Sequence, residues 1–550
     1  MTFEFTLLEK TLGAVLDETV AKHPERDALV YVDSDLRSTW RVLGQTVDAL
    51  ARGFMALGVQ PGEKMALWSA NSYPWVEVML ASAKAGAVLV PVNTGYREKE
   101  LEYLLAHSDA ETLLVGDAFR DFSFFDSVCK LTPELPGLRG TERGALTSAK
   151  FPMLKRVIFL GKQAPECTFS FPEILEMGKT VPAAEYLARQ AGISPSDLVN
   201  IQYTSGTTGS PKGVMLNHLN VVNDGYWCGR MQNLSERDRI CLTVPLFHNF
   251  GSVAGIICSV CHGATLAIIS SGNPAQILSV LREGCTAFYG VPAMYHAILH
   301  HKNFDSGDFT KLRTGIMGGS ICPTPLMQAV IEKMHMPEIT IAYGLTESSP
   351  TMCMTSYLDN MEHRTSSAGR ALPGTEVRIL DPLTHHELPQ GQTGEICCRG
   401  FNVMQGYYKM PEATSKAIDE NGFLHSGDLG YLDKDGYLTV TGRIKDLIIR
   451  AGENVYPREI EEFISLMPGV RDVQVVAVPS RKYGEEVGAF IVPAPDVTIT
   501  RDDVRKYCRG KIAWYKIPRY IHSVESFPLN ASGKVQKFKL RELAAQLFAR

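Results

Sequence analysis

The stretch VLGQTVDALARGFMALGVQPGEKMALWSANSYPWVEVMLASAKAGAVLVPV, Val42 to Val92, holds two helical and two strand patterns in strict alternation. Apolar residues recur at helical spacing over Val42–Leu57 and Trp75–Ala85, while Lys64–Trp68 and Ala87–Val92 are short apolar runs bounded by turn residues. Strands alternating with helices through turns as short as Gly58–Gly62 predict parallel sheets covered by helices. The fold class is therefore α/β.

Working outward, the texture changes near Arg370. LPGTEVRIL, GQTGEICCRG and LDKDGYLTV are short strand patterns separated by turns, which predicts a small β-barrel-like subdomain over about 370–442. After Gly442 come a strand-like DLIIRAG, a helix start at Pro457, a strand over Val473–Val478 and a Lys/Arg-rich end. The expected division is a large N-terminal domain over 1–442 and a small mobile α+β domain over 443–550. The irregular Asp121–Lys150 reads as a surface insertion.

With 550 residues and 45% hydrophobic content the chain can bury more than one core. A formal net charge of -5 argues against a general affinity for nucleic acid or anionic lipid, so any polyanion is gripped locally. The N-terminus has acidic residues from Glu4 and no basic start, which predicts a cytoplasmic location. The most apolar window, Gly251–Ile269, is interrupted by His262 and by glycines, and reads as a buried helix followed by a strand with no integral membrane segment. Within it Cys258–His262 spells CSVCH, the pattern of c-type haem attachment, but the apolar surroundings favour cysteines used as small hydrophobes. The remaining cysteines form no disulfide framework and no zinc spacing.

Tyr203–Gly213 reads YTSGTTGSPKG, a glycine- and hydroxyl-rich loop with one lysine. A Walker A loop places glycine before its lysine and Ser or Thr after it, whereas here Pro211 precedes Lys212 and Gly213 follows. Four further stretches succeed it: YGLTESSP (Tyr343–Pro350), HSGDLGYLDKDGYL (His425–Leu438), GRIKDLIIRAGENVYPREIE (Gly442–Glu461) and NASGKVQK (Asn530–Lys537). In this order the five resemble the signature set of the adenylate-forming superfamily, which includes acyl-CoA synthetases, luciferase-like enzymes and peptide-synthetase adenylation domains. The resemblance spans nearly the whole chain.

The chemistry agrees with that set. A carboxylate is a poor electrophile because its leaving group would be oxide, and activation as a mixed anhydride with AMP removes the difficulty. Glycines at 206, 209 and 213 let backbone N–H groups approach phosphate, Thr204, Ser205, Thr207 and Thr208 add hydroxyls, and Lys212 adds a mobile cation. The resemblance implies that this run, Thr204, Ser205, Gly206, Thr207, Thr208, Gly209 and Lys212, cradles the phosphates of ATP. It makes Glu347 the Mg²⁺ ligand, Thr346 an α-phosphate contact, Tyr343 and Gly344 the adenine wall, and Asp428 and Arg443 the ribose contacts. Lys534 becomes the catalytic lysine that bridges carboxylate and α-phosphate, Lys445 the hinge, and Ala451, Gly452 and Glu453 the CoA tunnel. Relatives often carry two glycines where this chain has Ala451 and Gly452.

VPLFHNFG, Val244–Gly251, falls where the family places part of the acyl site and holds no Asp or Glu for an α-amino group. Tyr226, Trp227, His248, Phe250, Gly318, Gly319 and Ser320 are the acyl-pocket candidates. NDGYW and VPLFH are similar in texture to the medium-chain branch of the acyl-CoA synthetases. The expected partners are a carboxylic acid, ATP and coenzyme A, with Mg²⁺ as cofactor, no nucleic acid, and a homodimer as an allowed assembly. An aryl acid or a carrier-protein acceptor is the nearest alternative. A non-catalytic acyl- or nucleotide-binding module is the alternative of another class. A hydrolase reading fails because GGSIC at Gly318 lacks G-x-S-x-G spacing.

Overall fold

The computed structural model describes residues 3–34, 36–119, 122–204, 211–270, 272–320, 322–451, 453–529 and 535–548. The chain forms two compact units, Met1–Glu376 with Cys398–Leu424, and Val377–Cys397 with His425–Arg550. The division falls before Gly442: the β hairpins that precede it group with the C-terminal residues.

The Val42–Val92 reading is realised as the helix Trp40–Ala56, the strand Lys64–Trp68, the helix Tyr73–Ala85 and the strand Val88–Pro91. The first helix starts where Thr39 accepts a hydrogen bond from the Val42 N–H, and it buries Leu43, Val47, Leu50 and Phe54 on one face. Its Gly53 is required by contact: a Cβ there would meet the Ile174 carbonyl oxygen at 2.2 Å.

Lys64–Trp68 and Val88–Pro91 sit inside an eight-stranded sheet whose order runs Gly406–Tyr407, Lys212–Asn217, Leu198–Thr204, Val88–Pro91, Lys64–Trp68, Ala110–Val115, Arg156–Phe159, Phe169–Ser170. Its central pairings are parallel, and Lys212–Asn217 returns antiparallel to Leu198–Thr204. A nine-stranded sheet completes the first unit, with Asp27–Tyr31, Thr265–Ile268, Arg239–Leu242, Ala287–Gly290, Thr314–Gly318 and Glu338–Tyr343 parallel at its centre.

Residues 122–150 correct the sequence expectation. They are no loose insertion: the helix Phe124–Leu131 and two single turns lay Phe124, Val128, Leu131, Leu135 and Leu146 into the core of the eight-stranded sheet. The Phe124 ring packs on Trp68 at a centroid distance of 4.5 Å. Phe124→Ala is therefore expected to cost about 3–5 kcal/mol, where a surface-loop substitution would stay within about 0.5 kcal/mol. Urea midpoints of the two proteins measure the difference.

The apolar window folds as helical turns through Cys258–His262 followed by the strand Thr265–Ile268, and among the described residues no helix is long and apolar enough to cross a membrane. CSVCH packs against the helix His218–Met231. Gly225 and Gly229 make that approach feasible, since a Cβ on Gly229 would meet the His262 ring at 2.3 Å and one on Gly225 the Cys258 nitrogen at 2.9 Å. Burial pushes the Cys258 thiol up to about 12, and His262 is engaged with the Tyr226 carbonyl at 2.9 Å.

The second unit carries two sheets. One is an open four-stranded sheet in the order Thr375–Leu380, Gly394–Gly400, Leu424–Leu432, Leu438–Arg443, and the β subdomain does not close as a barrel. The other pairs Val470–Ser480 with Gly484–Pro493 over a long antiparallel ladder, flanked by Ile448–Arg450, Glu453–Val455 and Tyr520–Ser523. The helix Pro457–Ser465 packs Ile460 and Ile464 into its core.

Candidate active site

The two ends of the phosphate loop are fixed by the sheet. Thr204 and Lys212 face each other across the antiparallel ladder, as do Tyr203 and Gly213. Ser205, Gly206, Thr207, Thr208 and Gly209 lie outside the described residues. The helix Glu98–Ser108 braces both ends: the Tyr103 hydroxyl donates to the Pro211 carbonyl at 3.0 Å, and His107 Nδ1 pairs with the Tyr203 hydroxyl at 2.7 Å. Burial first, and then the charge of Lys409, lowers the His107 pKa, which favours the neutral ring beside Tyr203. Gly213 corrects its expected role. Its backbone lies in the ladder, its carbonyl accepts from the Tyr408 N–H at 2.7 Å, and a Cβ would meet Ile201 at 2.8 Å, so it serves close packing.

Glu347 lies in the turn Thr346–Ser348 that follows the strand Glu338–Tyr343. Tyr407, which the sequence reading missed, connects it to the phosphate loop. The Tyr407 hydroxyl donates to Glu347 Oε1 at 2.8 Å, and Lys212 Nζ stands 4.6 Å from the centroid of the same ring. Burial and then the Glu347 charge push the Tyr407 pKa up, so the hydroxyl keeps its proton and orients the carboxylate. A single aromatic thus meets a carboxylate at its edge and a cation over its face.

The turn is anchored from behind. The Met404 N–H donates to the Glu347 carbonyl at 3.0 Å, and Ser349 Oγ donates to the Asn402 carbonyl at 2.6 Å. Asn402 Nδ2 donates to the Thr351 carbonyl, and the Thr351 N–H donates to Asp224 Oδ2 at 2.9 Å. Gly344 is fixed by space: a Cβ would meet the Pro350 carbonyl oxygen at 2.0 Å. Tyr343 accepts from the Met352 N–H through its carbonyl at 2.8 Å.

Asp224 is fully buried, and desolvation raises its carboxyl pKa to about 8. The folded protein retains a proton that the unfolded chain releases above about pH 4. The stability contribution of the protonated carboxyl is complete below that pH and is lost as pH rises through about 8. Asp224→Asn keeps the acceptor for Thr351 without the ionisation, so its stability relative to the parent should improve steadily between pH 5 and pH 8. Urea midpoints at the two pH values decide the point, and an unchanged difference would contradict a buried neutral Asp224.

The acyl-site candidates separate into three places. Tyr226 stacks on His262 at 5.6 Å with an interplanar angle of 12°. Trp227 is a correction: it is buried against Phe3 and Phe5 and belongs to a packing cluster. His248 caps the turn Asn249–Gly251, its Nδ1 accepting from the Phe250 N–H at 3.3 Å, while the Phe250 ring stacks on Tyr289 at 6.2 Å. Gln202, two residues before Thr204, donates to the Phe247 carbonyl and ties this turn to the phosphate-loop strand. Gly318 ends the strand Thr314–Gly318, Gly319 follows at φ +80°, and Ser320 is exposed.

In the second unit Asp428 and Arg443 are cross-strand partners, with Arg443 Nε 2.9 Å from Asp428 Oδ1. Asp428 is buried and its N–H donates to Ser426 Oγ at 3.0 Å. Glu395 supports the turn before it, Oε1 accepting from the Gly427 N–H at 2.9 Å. Lys445 lies in the turn Ile444–Asp446; burial and then the neighbouring Arg443 charge lower its pKa. Arg541 donates to the Lys445 carbonyl at 3.1 Å and pairs with Asp446. Ala451 adopts φ +55°, a left-handed conformation that a methyl-bearing residue takes at a cost, and its N–H donates to the Tyr483 carbonyl at 2.9 Å. Glu453 is exposed, and Gly452 and Lys534 lie outside the described residues. Leu529 and Val535 pair in an isolated antiparallel bridge.

Comparison with known proteins identifies the family. The family described as AMP-binding enzyme matches residues 16–408, and its C-terminal domain matches residues 459–534. The chain is 45% identical over 543 residues to YngI of Bacillus subtilis, assigned by name to the acyl-CoA synthetases, with 98% of each chain covered. It is 39% identical over 546 residues to the mitochondrial medium-chain acyl-CoA ligase ACSF2 of Rattus norvegicus, covering 98% of this chain and 88% of that one. The crystal structure of ATP-bound MatB from Rhodopseudomonas palustris superposes with a TM-score of 0.85 at 27% identity, covering 98% of this chain and 100% of that one. The chain therefore belongs to the AMP-binding enzyme family, among the AMP-forming acyl-CoA synthetases.

Proposed function

We propose that the protein activates a fatty acid of medium length with ATP, releasing pyrophosphate, and transfers the acyl group from the adenylate to coenzyme A, releasing AMP. The observation that carries the reading is the Lys212–Tyr407–Glu347 arrangement, which sets a phosphate-seeking cation and a hard carboxylate ligand on one aromatic ring. The length of the acid rests on the ACSF2 relatives, and the choice of a fatty acid over an amino acid on a Val244–Gly251 segment with no carboxylate to receive an amine.

Glu347 is the residue that would hold Mg²⁺, and its oxygen donor suits a hard cation that takes one or two protein carboxylates beside phosphates. Bound there, the ion would offset the phosphate charge that repels an incoming carboxylate. Tyr407 orients the Glu347 oxygen. Lys212, at the base of the loop, would bind the departing pyrophosphate, and Thr346 the α-phosphate. Asp428 and Arg443 supply an acceptor and a donor suited to ribose hydroxyls.

The test is acid-dependent pyrophosphate release across straight-chain, branched, aryl and amino acids, with CoA consumption followed in parallel. Fatty acids of medium length should give the highest kcat/KM and one thioester per pyrophosphate. Faster turnover of any free amino acid or aryl acid would overturn the assignment.

A further inference from the structure

We propose that the second unit carries a site for one zinc-class transition-metal ion, built by Glu395, Cys397 and His425. Glu395 and Cys397 are two residues apart on the strand Gly394–Gly400 and so project from the same face, and His425 comes from the neighbouring strand Leu424–Leu432. Glu395 and Cys397 are buried, and the His425 side chain is only 12% exposed.

One ligand atom from each residue falls within 4.8 Å of the others. His425 Nδ1 is the pivot, 2.8 Å from Glu395 Oε2 and 3.5 Å from Cys397 Sγ. A tetrahedral ion with bonds of about 2.0–2.3 Å holds its ligand atoms roughly 3.3–3.8 Å apart, so small side-chain rotations accommodate it. The other Glu395 oxygen accepts from the Gly427 N–H at 2.9 Å, the kind of outer contact that aims a ligating carboxylate.

The donor set decides the class of ion. Thiolate, imidazole and carboxylate suit zinc and its neighbours, whereas Mg²⁺ prefers oxygen alone, so this site is distinct from that of Glu347. On binding, Cys397 loses its thiol proton to solvent, and the hydrogen that His425 Nδ1 shares with Glu395 is given up, so that the ring ligates through Nδ1 as a neutral imidazole with its hydrogen on Nε2. Three protein ligands leave one tetrahedral position for a small molecule. His425 stands three residues before Asp428, so the ion would fix the turn that presents that carboxylate.

The experiment is a titration of chelator-treated, full-length protein with Co²⁺, followed by Zn²⁺ competition. One equivalent should bind with a thiolate-to-cobalt absorption band that zinc abolishes. Cys397→Ala should lose the band and weaken binding at least tenfold, while Cys398→Ala, on the opposite face of the strand, should keep both. The proposal is wrong if wild-type protein shows no stoichiometric thiolate–cobalt band, a result that needs no variant to fold, or if the two cysteine variants behave alike.

Discussion

Replacing Lys534 by alanine should slow adenylation on the order of 10²–10³-fold, the usual cost of removing one preorganised donor from a developing charge. Thioester formation from supplied acyl-adenylate should proceed at near the parent rate, because the bond that the family resemblance gives this lysine would matter only while carboxylate oxygen attacks the α-phosphorus. Lys537, in the same NASGKVQK stretch, is the internal control. Its ammonium donates to Glu461 Oε1 at 2.6 Å and approaches the Val475 carbonyl, so it stitches the C-terminal helix to the core. Lys537→Ala should lower the urea midpoint and leave adenylation per folded molecule unchanged. Single-turnover timing of both half-reactions separates the two lysines. Equal loss of adenylation in both variants would remove the catalytic assignment from Lys534.

The parts of this protein that were legible in the sequence are those whose signal is local. Helices and strands over Val42–Val92 could be read because each face repeats within one element, and Glu347, Asp428 and Arg443 because each stands in a stretch with its own turn chemistry. Tyr407 could not be read that way. It belongs to a two-residue edge strand, Gly406–Tyr407, and reaches Glu347 sixty positions earlier only because that strand pairs with Lys212–Asn217. Gly213 was misread for the same reason: next to a loop it looks like a loop glycine, and only the ladder shows the contact with Ile201 that demands it. The helix Phe124–Leu131 did have a local signal. Ser123 caps it by accepting from the Asp126 N–H, and Phe124, Val128 and Leu131 recur at helical spacing, but eight residues between polar flanks resemble a loop. Trp227 shows the converse error, since an aromatic in a suggestive stretch was held by the N-terminal Phe3 and Phe5, about 220 positions away in the chain.

One active site that first closes on ATP and then admits a thiol must change arrangement between the steps, and the backbone around Lys445 is where the family resemblance places the pivot. Lys445→Pro should leave adenylation within a few-fold of the parent and cut thioester formation on the order of a hundredfold. Lys445 is the second residue of the single turn Ile444–Asp446, and proline's fixed φ is tolerated in a first helical turn. The cost falls on Ile444, the first residue of the turn, which proline pushes toward extended backbone. What proline forbids is the large φ change that a pivot needs. Arg541 gives the hinge a second handle. It donates to the Lys445 carbonyl and pairs with Asp446, holding the turn against the C-terminal helix. Arg541→Ala should loosen this hold and change the two half-reactions in the opposite sense to proline, easing the second relative to the first. If Lys445→Pro and Lys534→Ala stopped the same half-reaction, a pivot at Lys445 would be the wrong account of how this protein passes from adenylate to thioester.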